Sequence, residues 1–252
     1  QSFKPTIEFE DLTYNFVTNF EKFLYESGYQ TNTVAKHMKH LKSFVNAAIN
    51  KGYIDPNNYA FRRYKIKMKE GKHVFLLPEE MKKLEEVSLT GRNSCLEHTL
   101  DAFLFCCYTG LRYSDFVNLN EKNIVKMDGK LWLIFDSVKT GTEVKLPLNL
   151  LFEGKALTLL QKYQGKWSSF FSIKNNSSVN KELIRIGKLA KISKHFSFHS
   201  ARHTNATLLI YKGANITTVQ KLLGHKNLAT TQIYGEVMGS TIIRDLKKCQ
   251  KR

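Results

Sequence analysis

The sequence predicts a mainly helical protein with one small antiparallel β-sheet, organised as a helical domain followed by an α+β domain. Apolar residues recur at helical spacing before residue 60 and again from about residue 150 onward. Between these stretches, residues 123–148 change to short apolar segments separated by turn residues. With 252 residues, 42% of them hydrophobic, the chain is long and apolar enough to bury a core.

Two helices are predicted in the first domain, residues 1–70. The first runs from Thr13 to Tyr25 and ends before Gly28, and the second begins near Thr31, with a Thr or Asn as cap, and ends at Gly52. The apolar positions expected in the core are Phe16, Phe20, Phe23, Leu24, Val34, Met38, Leu41, Val45 and Ala48.

A basic segment follows these helices. Residues 62–72 have the sequence RRYKIKMKEGK and show no strong core periodicity, which predicts a linker over about 62–74. An inert solvated hinge would have this composition, but a segment that crosses a phosphate backbone is the preferred interpretation. The interval 31–74 holds ten Lys and Arg against two acidic residues. The side chains expected to contact DNA are Lys36, Lys39, Lys42, Arg62, Arg63, Lys65, Lys67 and Lys69.

The second domain is predicted over residues 75–252. Pro78 is the expected first residue of a helix, and Leu96 to Tyr108 is apolar enough for a buried one. Three antiparallel strands follow, joined by turns at Asp128-Gly129 and at Lys139-Thr140-Gly141. Helices are then expected over 150–164, 180–191, 199–212, 216–223 and from about 228, with stops at Gly213 and Gly224.

Composition excludes several functional classes. The net charge of +17 indicates a polyanionic partner, either nucleic acid or an anionic membrane surface. No apolar run approaches the roughly 18 residues of a membrane-spanning helix. No carboxylate cluster suits Mg²⁺ and no P-loop suits ATP, so neither a metal nor another cofactor is expected. The cysteines at 95, 106, 107 and 249 form neither a disulfide framework nor a zinc pattern, and Cys106 and Cys107 are expected in the core.

Six polar residues suggest a particular chemistry. They are Arg112, Lys139, His199, Arg202, His225 and Tyr234. Arginine and histidine side chains can hold a phosphate without a metal, a lysine can protonate a leaving oxygen, and a tyrosine can serve as an oxygen nucleophile. His199 and Arg202 are three apart on one predicted helix, so both can face one phosphate.

Four motifs resemble the catalytic domain of the tyrosine recombinase (phage integrase) family. They are TGLRYSD at 109–115, VKTG at 138–141, HSARHT at 199–204 and LLGHKNLATTQIY at 222–234. They occur in the order and with the spacing of the family, and the resemblance covers residues 75–252. Residues 1–70 are similar in position and character to the family's core-binding domain, with less specific motifs.

The resemblance implies a role for each site residue. The scissile phosphate would be held and polarised by Arg112, His199, Arg202 and His225. Lys139 would be the general acid for the 5′-hydroxyl, and Tyr234 would attack to give a 3′-phosphotyrosyl link. His199 is the expected base for the tyrosine, and Asp115 would brace the site.

The resemblance also implies partners and a setting. We expect a bacterial, cytoplasmic, DNA-associated recombinase that acts as a homotetramer on double-stranded DNA recombination sites and integrates or excises a mobile element. Host DNA-bending proteins are further expected partners. The alternatives are a chromosome-dimer-resolving recombinase, a type IB topoisomerase-like enzyme and a DNA-binding module without catalysis.

Both ends of the chain carry an expectation of their own. The chain opens at Gln1 rather than Met, which suggests a preceding region such as an arm-type DNA-binding domain. After Tyr234, an apolar series could dock on a neighbouring subunit or on its own domain, and these two options are left open. The series consists of Val237, Ile242, Ile243 and Leu246.

Overall fold

The chain forms two compact units, Gln1–Lys72 and His73–Arg252. The computed structural model describes residues 3–4, 6–69, 71 and 73–234. Cys249 lies outside these residues, and so does the apolar series that follows Tyr234. The described part is mainly helical with one three-stranded antiparallel sheet, which confirms the predicted fold class.

Two helices form the first unit, α1 (Tyr14–Glu26) and α2 (Thr31–Asn50). The Thr13 side chain caps α1 by accepting a hydrogen bond from the backbone N–H of Phe16. The expected Thr or Asn cap of α2 is wrong, because the N-cap is Gln30 and its side chain makes no capping bond.

The aromatic stripe of α1 is less buried than its spacing predicts. Val17 and Leu24 are the buried residues of this helix. Phe16, Phe20 and Phe23 are half-buried and surround the ring of Phe3, with centroid separations of 5.4, 5.3 and 5.2 Å. The helical period was therefore correct, but the buried face is centred on Val17 rather than on the phenylalanines.

The basic segment lies against the first unit through residue 69. Tyr64 and Ile66 are half-buried and pack on the core of this unit, a short alternation within a segment that was predicted to have no strong core periodicity. Asn32 holds its far end: the Asn32 Nδ2 donates to the Lys69 carbonyl and the Lys69 N–H donates to the Asn32 Oδ1, both at 2.9 Å. Residues 62–69, called the strap below, are thus hydrogen-bonded to the start of α2.

In the described residues the second unit has nine helices and a large apolar core. The buried helix α4 lies at its centre and packs mainly on α9, with further contacts to α6 and α8. The helices are α3 (Pro78–Glu86), α4 (Glu97–Thr109), α5 (Tyr113–Val117), α6 (Lys155–Lys162), α7 (Trp167–Phe171), α8 (Asn176–Leu189), α9 (Phe198–Tyr211), α10 (Ile216–Leu223) and α11 (Ala229–Gln232).

The sheet has the strand order β1-β2-β3, with β1 (Ile124–Met127), β2 (Lys130–Asp136) and β3 (Glu143–Pro147). Both pairings are antiparallel, as predicted. Asp128 and Gly129 adopt positive φ values of 49° and 74°, which the tight turn between β1 and β2 requires.

Some helix boundaries differ from the prediction. A helix was expected over 150–164, but α6 begins only at Lys155, because Phe152 and Glu153 have positive φ and interrupt the chain direction. The short helices α5 and α7 were not predicted, since five residues carry too little periodicity to be recognised. Gly213 and Gly224 have positive φ and end α9 and α10 as expected.

The described cysteines are unpaired thiols. Cys106 and Cys107 are buried on α4 and Cys95 is exposed. Burial raises the pKa of the Cys106 and Cys107 thiols well above the ordinary value, which keeps them protonated and unreactive. Their expected role in core packing agrees with this placement.

Among the described residues, none of the helices combines the length and apolar character needed to cross a bilayer. The same residues contain no group of three or more His, Cys, Asp or Glu side chains suited to a metal ion.

Candidate catalytic site

A glycine turn places Arg112 at the start of α5. Helix α4 ends at Gly110, which has a φ of 75°, and a Cβ atom there would lie 2.6 Å from Leu223 Cδ2 and 2.8 Å from Asn205 Oδ1. Only glycine fits both the conformation and the space. The turn brings α4 against the end of α10 and presents Arg112 beside it.

Arg202 joins two of the loops that carry site residues. This side chain on α9 is 3% exposed. Its Nη1 donates to the Gly110 carbonyl at 2.8 Å and its Nη2 donates to the Leu223 carbonyl at 2.6 Å. Because a guanidinium can serve two acceptors in one plane, Arg202 fixes the turn before Arg112 relative to the helix end before His225.

Asp115 connects Arg112 to the turn that bears Lys139. Arg112 Nη1 lies 3.5 Å from Asp115 Oδ2 and donates to Ser137 Oγ at 2.9 Å. Asp115 is buried and its Oδ1 accepts from the backbone N–H of Val138 at 2.9 Å. Lys139 follows directly and is exposed, so the backbone next to it is held by Asp115 while its side chain remains accessible.

His225 is fixed from both sides of its loop. It follows Gly224, where a Cβ atom would lie 2.7 Å from Val144 Cγ2 of β3. Thr140 Oγ1 donates to the Gly224 carbonyl at 3.3 Å, which ties the Lys139 turn to this loop. The Nδ1 of His225 lies 2.8 Å from Thr231 Oγ1, so the imidazole has a defined orientation.

Tyr234 is 5% exposed and packs in an apolar cluster with Ile210, Val219 and Leu223. Its hydroxyl lies 2.8 Å from the Nδ1 of His203, the residue that follows Arg202 on α9. The tyrosine therefore lies beside the helix that carries Arg202, with its oxygen hydrogen-bonded to an imidazole.

The imidazoles of this site are held in their neutral form. Burial, followed by the charges of Arg202 and other nearby cations, lowers the pKa of His225 to about 4. Burial, followed by the neighbouring histidines and Arg202, lowers the pKa of His203 to about 3. The pKa of His199 is lowered by burial and by Arg202 as well. Lys139 contributes to the shifts at His199 and His225, which shows that these groups share one positive field.

The tyrosine is not ionised in advance. Burial raises the pKa of Tyr234 above its ordinary value of 10, and the charges of Arg202 and Arg112 offset this only partly. Burial and the charge of Arg112 lower the pKa of Arg202 to about 10, which still leaves it protonated at neutral pH. The site thus holds a neutral phenol among cations.

Two family profiles match this chain. The phage integrase family profile matches residues 74–239, and the phage integrase SAM-like domain matches residues 1–67. The chain belongs to the phage integrase family.

Relatives of this phage integrase family member agree with the assignment. A tyrosine recombinase XerC from Oceanobacillus iheyensis is 30% identical over 241 residues, which cover 90% of this chain and 77% of the relative. The fold is also that of a lambda integrase dimer bound to a COC′ core site, with a TM-score of 0.76 at 19% identity, covering 94% of this chain and 84% of that one. A lambda integrase tetramer bound to a Holliday junction gives 0.73 at 20% identity, covering 92% and 66%. The protein is a tyrosine-type site-specific recombinase.

In this recombinase the structure brings the predicted catalytic residues into one connected site. Arg112, Asp115 and the Lys139 turn form one hydrogen-bonded group. Arg202 links it to the loop of His225, and Thr140 provides a second link. His199 is exposed on the same helix as Arg202, one turn earlier.

The residues expected to bind DNA lie on the first unit of the recombinase. All are exposed except Lys42, which is half-buried. The Nζ of Lys39 lies 2.9 Å from the Sδ of Met68, so the strap and α2 present their basic side chains on adjoining surfaces.

Sequence reasoning missed two residues beside Tyr234, the candidate nucleophile of this recombinase. His203 touches the Tyr234 hydroxyl, and the ring of His73 lies 4.7 Å from that of His203 and 6.4 Å from that of Tyr234. His203 stood inside the motif HSARHT, but nothing in the sequence indicated that it would face Tyr234, which lies 31 residues away. His73 carried no signal at all.

Proposed function

We propose that this recombinase cleaves and rejoins duplex DNA through a 3′-phosphotyrosyl intermediate formed at Tyr234. The proposal rests mainly on the position of Arg202. Its two hydrogen bonds hold the loops of Arg112 and His225 together beside the buried Tyr234. Because phosphoryl transfer depends mostly on positioning and charge stabilisation, a fixed array of cations is what this reaction requires.

Phosphate recognition is assigned to the cationic side of the site. The donors of Arg112 and Arg202 that are not used internally, together with His199 and His225, hold the non-bridging oxygens of the scissile phosphate. Arg112 is aligned by Asp115 and Ser137, so its guanidinium is in place before DNA arrives. This preorganisation stabilises the charge that develops in the transition state.

Lys139 protonates the leaving 5′-oxygen. An alkoxide of the sugar is a poor leaving group, and a lysine ammonium group can donate a proton to it. The Lys139 turn is held by the hydrogen bonds of Val138 and Thr140, and the Lys139 side chain itself is exposed, which supports this role. Deprotonating a free tyrosine at pH 7 costs about 4 kcal/mol, so the nucleophile also needs a base.

The first unit is proposed to bind the DNA flanking the cleavage point. Its α2 and its strap expose the lysines and arginines that would neutralise successive phosphates. The working form would be a homotetramer on two recombination sites in the bacterial cytoplasm, with host DNA-bending proteins as further partners. The lambda integrase tetramer on a Holliday junction supports the tetramer by likeness of fold.

For the biological reaction we favour integration or excision of a mobile element. Chromosome-dimer resolution is the second candidate, and the likeness to a XerC recombinase supports it. Both use the same chemistry and the same residues.

A two-site assay tests the proposed reaction. The recombination site would be selected by the protein from a random duplex pool, and two copies would be placed on a supercoiled plasmid. We expect deletion or inversion according to the relative orientation of the sites, without Mg²⁺ or ATP, and no product from Tyr234→Phe. Relaxation without site preference would instead identify a type IB topoisomerase-like enzyme, and binding without any strand cleavage would identify a DNA-binding module.

A further inference from the structure

Among the described residues, the hydroxyl of the proposed nucleophile Tyr234 is hydrogen-bonded to the side chain of His203. The Tyr234 Oη and the His203 Nδ1 are 2.8 Å apart, the distance of a good hydrogen bond. A candidate base must lie within hydrogen-bond reach of the proton that it removes. His203 meets this geometric condition.

The imidazole of His203 is also held in place. The ring of His199 meets it edge-on, with centroids 4.6 Å apart and an interplanar angle of 87°. The ring of His73 lies on another side, at 4.7 Å and 45°. His203 itself is half-buried on α9, directly after the buried Arg202. Its orientation toward Tyr234 is therefore set by packing on a rigid helix.

We propose that His203 is the proton acceptor for Tyr234 in strand cleavage. This inference rests on the proposed function and departs from the expectation that His199 is the base. In the reactive tautomer Nε2 carries the ring proton and Nδ1 accepts from the phenol. As Tyr234 Oη bonds to phosphorus, its proton passes to His203 Nδ1, the bond from phosphorus to the 5′-oxygen breaks, and Lys139 protonates that oxygen.

The surrounding charges explain why the proton would move only on DNA. Tyr234, His199, His73, Arg202 and His225 face His203, and several of these neighbours, together with burial, disfavour an imidazolium there. A scissile phosphate held by the arginines brings negative charge into this field, and the cation on His203 is then compensated. Proton acceptance is in this way coupled to occupation of the phosphate position, and the free protein keeps its tyrosine as a phenol.

His199 has a different environment. As a whole residue His199 is more exposed than His203, although burial of its imidazole is the first cause of its lowered pKa. The charged groups that follow are Arg202, Arg112 and Lys139, which are assigned to the phosphate and the leaving oxygen, and His73 acts in the same direction. This placement suits a donor to the phosphate. Of the two histidines of the HSARHT motif, His199 thus acts on the phosphate and His203 on the nucleophile Tyr234.

Single-turnover cleavage of a nicked suicide duplex tests the proposal. The full chain would be used with the site selected from a random pool, and the covalent adduct would be quantified. We expect His203→Ala and His203→Gln to bind the duplex as the parent does and to form the adduct at least roughly 100-fold more slowly, the range of general-base catalysis. His195→Gln, a change at an exposed histidine of the same unit, is the matched control and should react at the parental rate.

Chemical rescue separates proton transfer from structure. Added imidazole should restore adduct formation in His203→Ala, and fluorotyrosine at position 234, a more acidic phenol, should restore it in His203→Gln. A substrate with a 5′-sulfur leaving group should rescue Lys139→Ala but not His203→Ala, because only the first variant lacks the acid.

The role of His203 and the cleavage reaction through Tyr234 fail on different results. Parental cleavage by both His203 variants, or slow cleavage that neither imidazole nor fluorotyrosine rescues, would overturn the role of His203 and leave the proposed function intact. An adduct that forms as well in Tyr234→Phe as in the parent would overturn the proposed function itself.

Discussion

Arg202 Nη1 donates a hydrogen bond to the backbone carbonyl of Gly110 across 2.8 Å, although the two residues are 92 positions apart in sequence. A second donor of the same guanidinium bonds to the carbonyl of Leu223. The residue proposed to stabilise the reacting phosphate is therefore also a structural link between the ends of α4 and α10. In the proposed reaction, the geometry of the phosphate site and the local stability would therefore depend on the same side chain.

Arg202→Lys should lose both functions even though it retains the charge. One ammonium group cannot serve two carbonyls and a phosphate with the geometry of a guanidinium. Each lost charged hydrogen bond costs about 1.5–3 kcal/mol of unfolding free energy. Urea unfolding should show this loss, and single-turnover cleavage should fall at least roughly 100-fold while DNA binding changes little.

Arg185→Lys provides the comparison for this change. Arg185 is an exposed arginine of the same unit that donates from Nη2 to Asn93 Oδ1 at 3.4 Å. The Arg185→Lys change should leave the unfolding free energy and the cleavage rate unaltered. Parental cleavage in Arg202→Lys would show that the bidentate geometry is not required.

Gly110→Ala should destabilise the second unit much more than Gly129→Ala. Both glycines have nearly the same positive φ, 75° and 74°, so the conformational strain of alanine is matched. Only at Gly110 would the new Cβ meet other atoms, Leu223 Cδ2 and Asn205 Oδ1. Overpacking of this kind costs about 1–3 kcal/mol, which thermal or urea unfolding would measure as the difference between the variants. Equal stabilities of the two variants would mean that Leu223 and Asn205 move away from the new Cβ atom without a loss of unfolding free energy.

Neutralising the strap should weaken DNA binding and reduce its salt dependence. Lys65, Lys67 and Lys69 are exposed beside α2. If each neutralises one phosphate, the triple change to Gln should lower the slope of log affinity against log salt by about 0.9 per contact. Lys22→Gln, which removes an ammonium paired with Glu26 at 3.7 Å, should leave the slope unchanged. An unaltered slope in the triple variant would identify the strap as an inert hinge.

Stability of the second unit should fall as the pH drops from about 6.5 toward 4. The pKa of His225 is about 4 in the folded protein and ordinarily 6.5, because burial and the charges of Arg202, Arg112 and Lys139 oppose protonation. Below pH 6.5 the unfolded chain takes up the proton first, so the stabilisation is complete above that pH and is lost toward pH 4. For His225 the full effect is about 3 kcal/mol.

Urea unfolding across this pH range measures the effect. His225→Gln should flatten the dependence, and the exposed His195→Gln should not. A His225→Gln variant with the parental pH dependence would assign the acid sensitivity to other groups.

Much of this molecule could be predicted from local signals. The strands followed from alternation and from the Asp128-Gly129 turn, and the ends of α9 and α10 followed from Gly213 and Gly224. The catalytic candidates could be found because each belongs to a motif with a fixed order. These features are encoded within a few neighbouring residues.

The remaining features depend on contacts between distant residues. His203 faces Tyr234 only because the chain after α10 returns to α9, and no local pattern records that return. The segment was predicted only as a basic linker, and its packing on the first unit was not foreseen, because the two half-buried residues Tyr64 and Ile66 are too short an alternation to stand out among lysines. The later start of α6 could not be predicted either, because nothing in the sequence around Phe152 and Glu153 indicates their positive φ values.

In the proposed reaction Tyr234 becomes covalently joined to DNA. Mass-spectrometric mapping of the adduct formed on a nicked suicide duplex would identify the joined residue and the joined end of the strand. We predict a single phosphotyrosyl link at Tyr234, carried by the 3′ end of the cleaved strand and absent in Tyr234→Phe. A link at another residue, or to the 5′ end of the strand, would show that the proposed reaction is wrong.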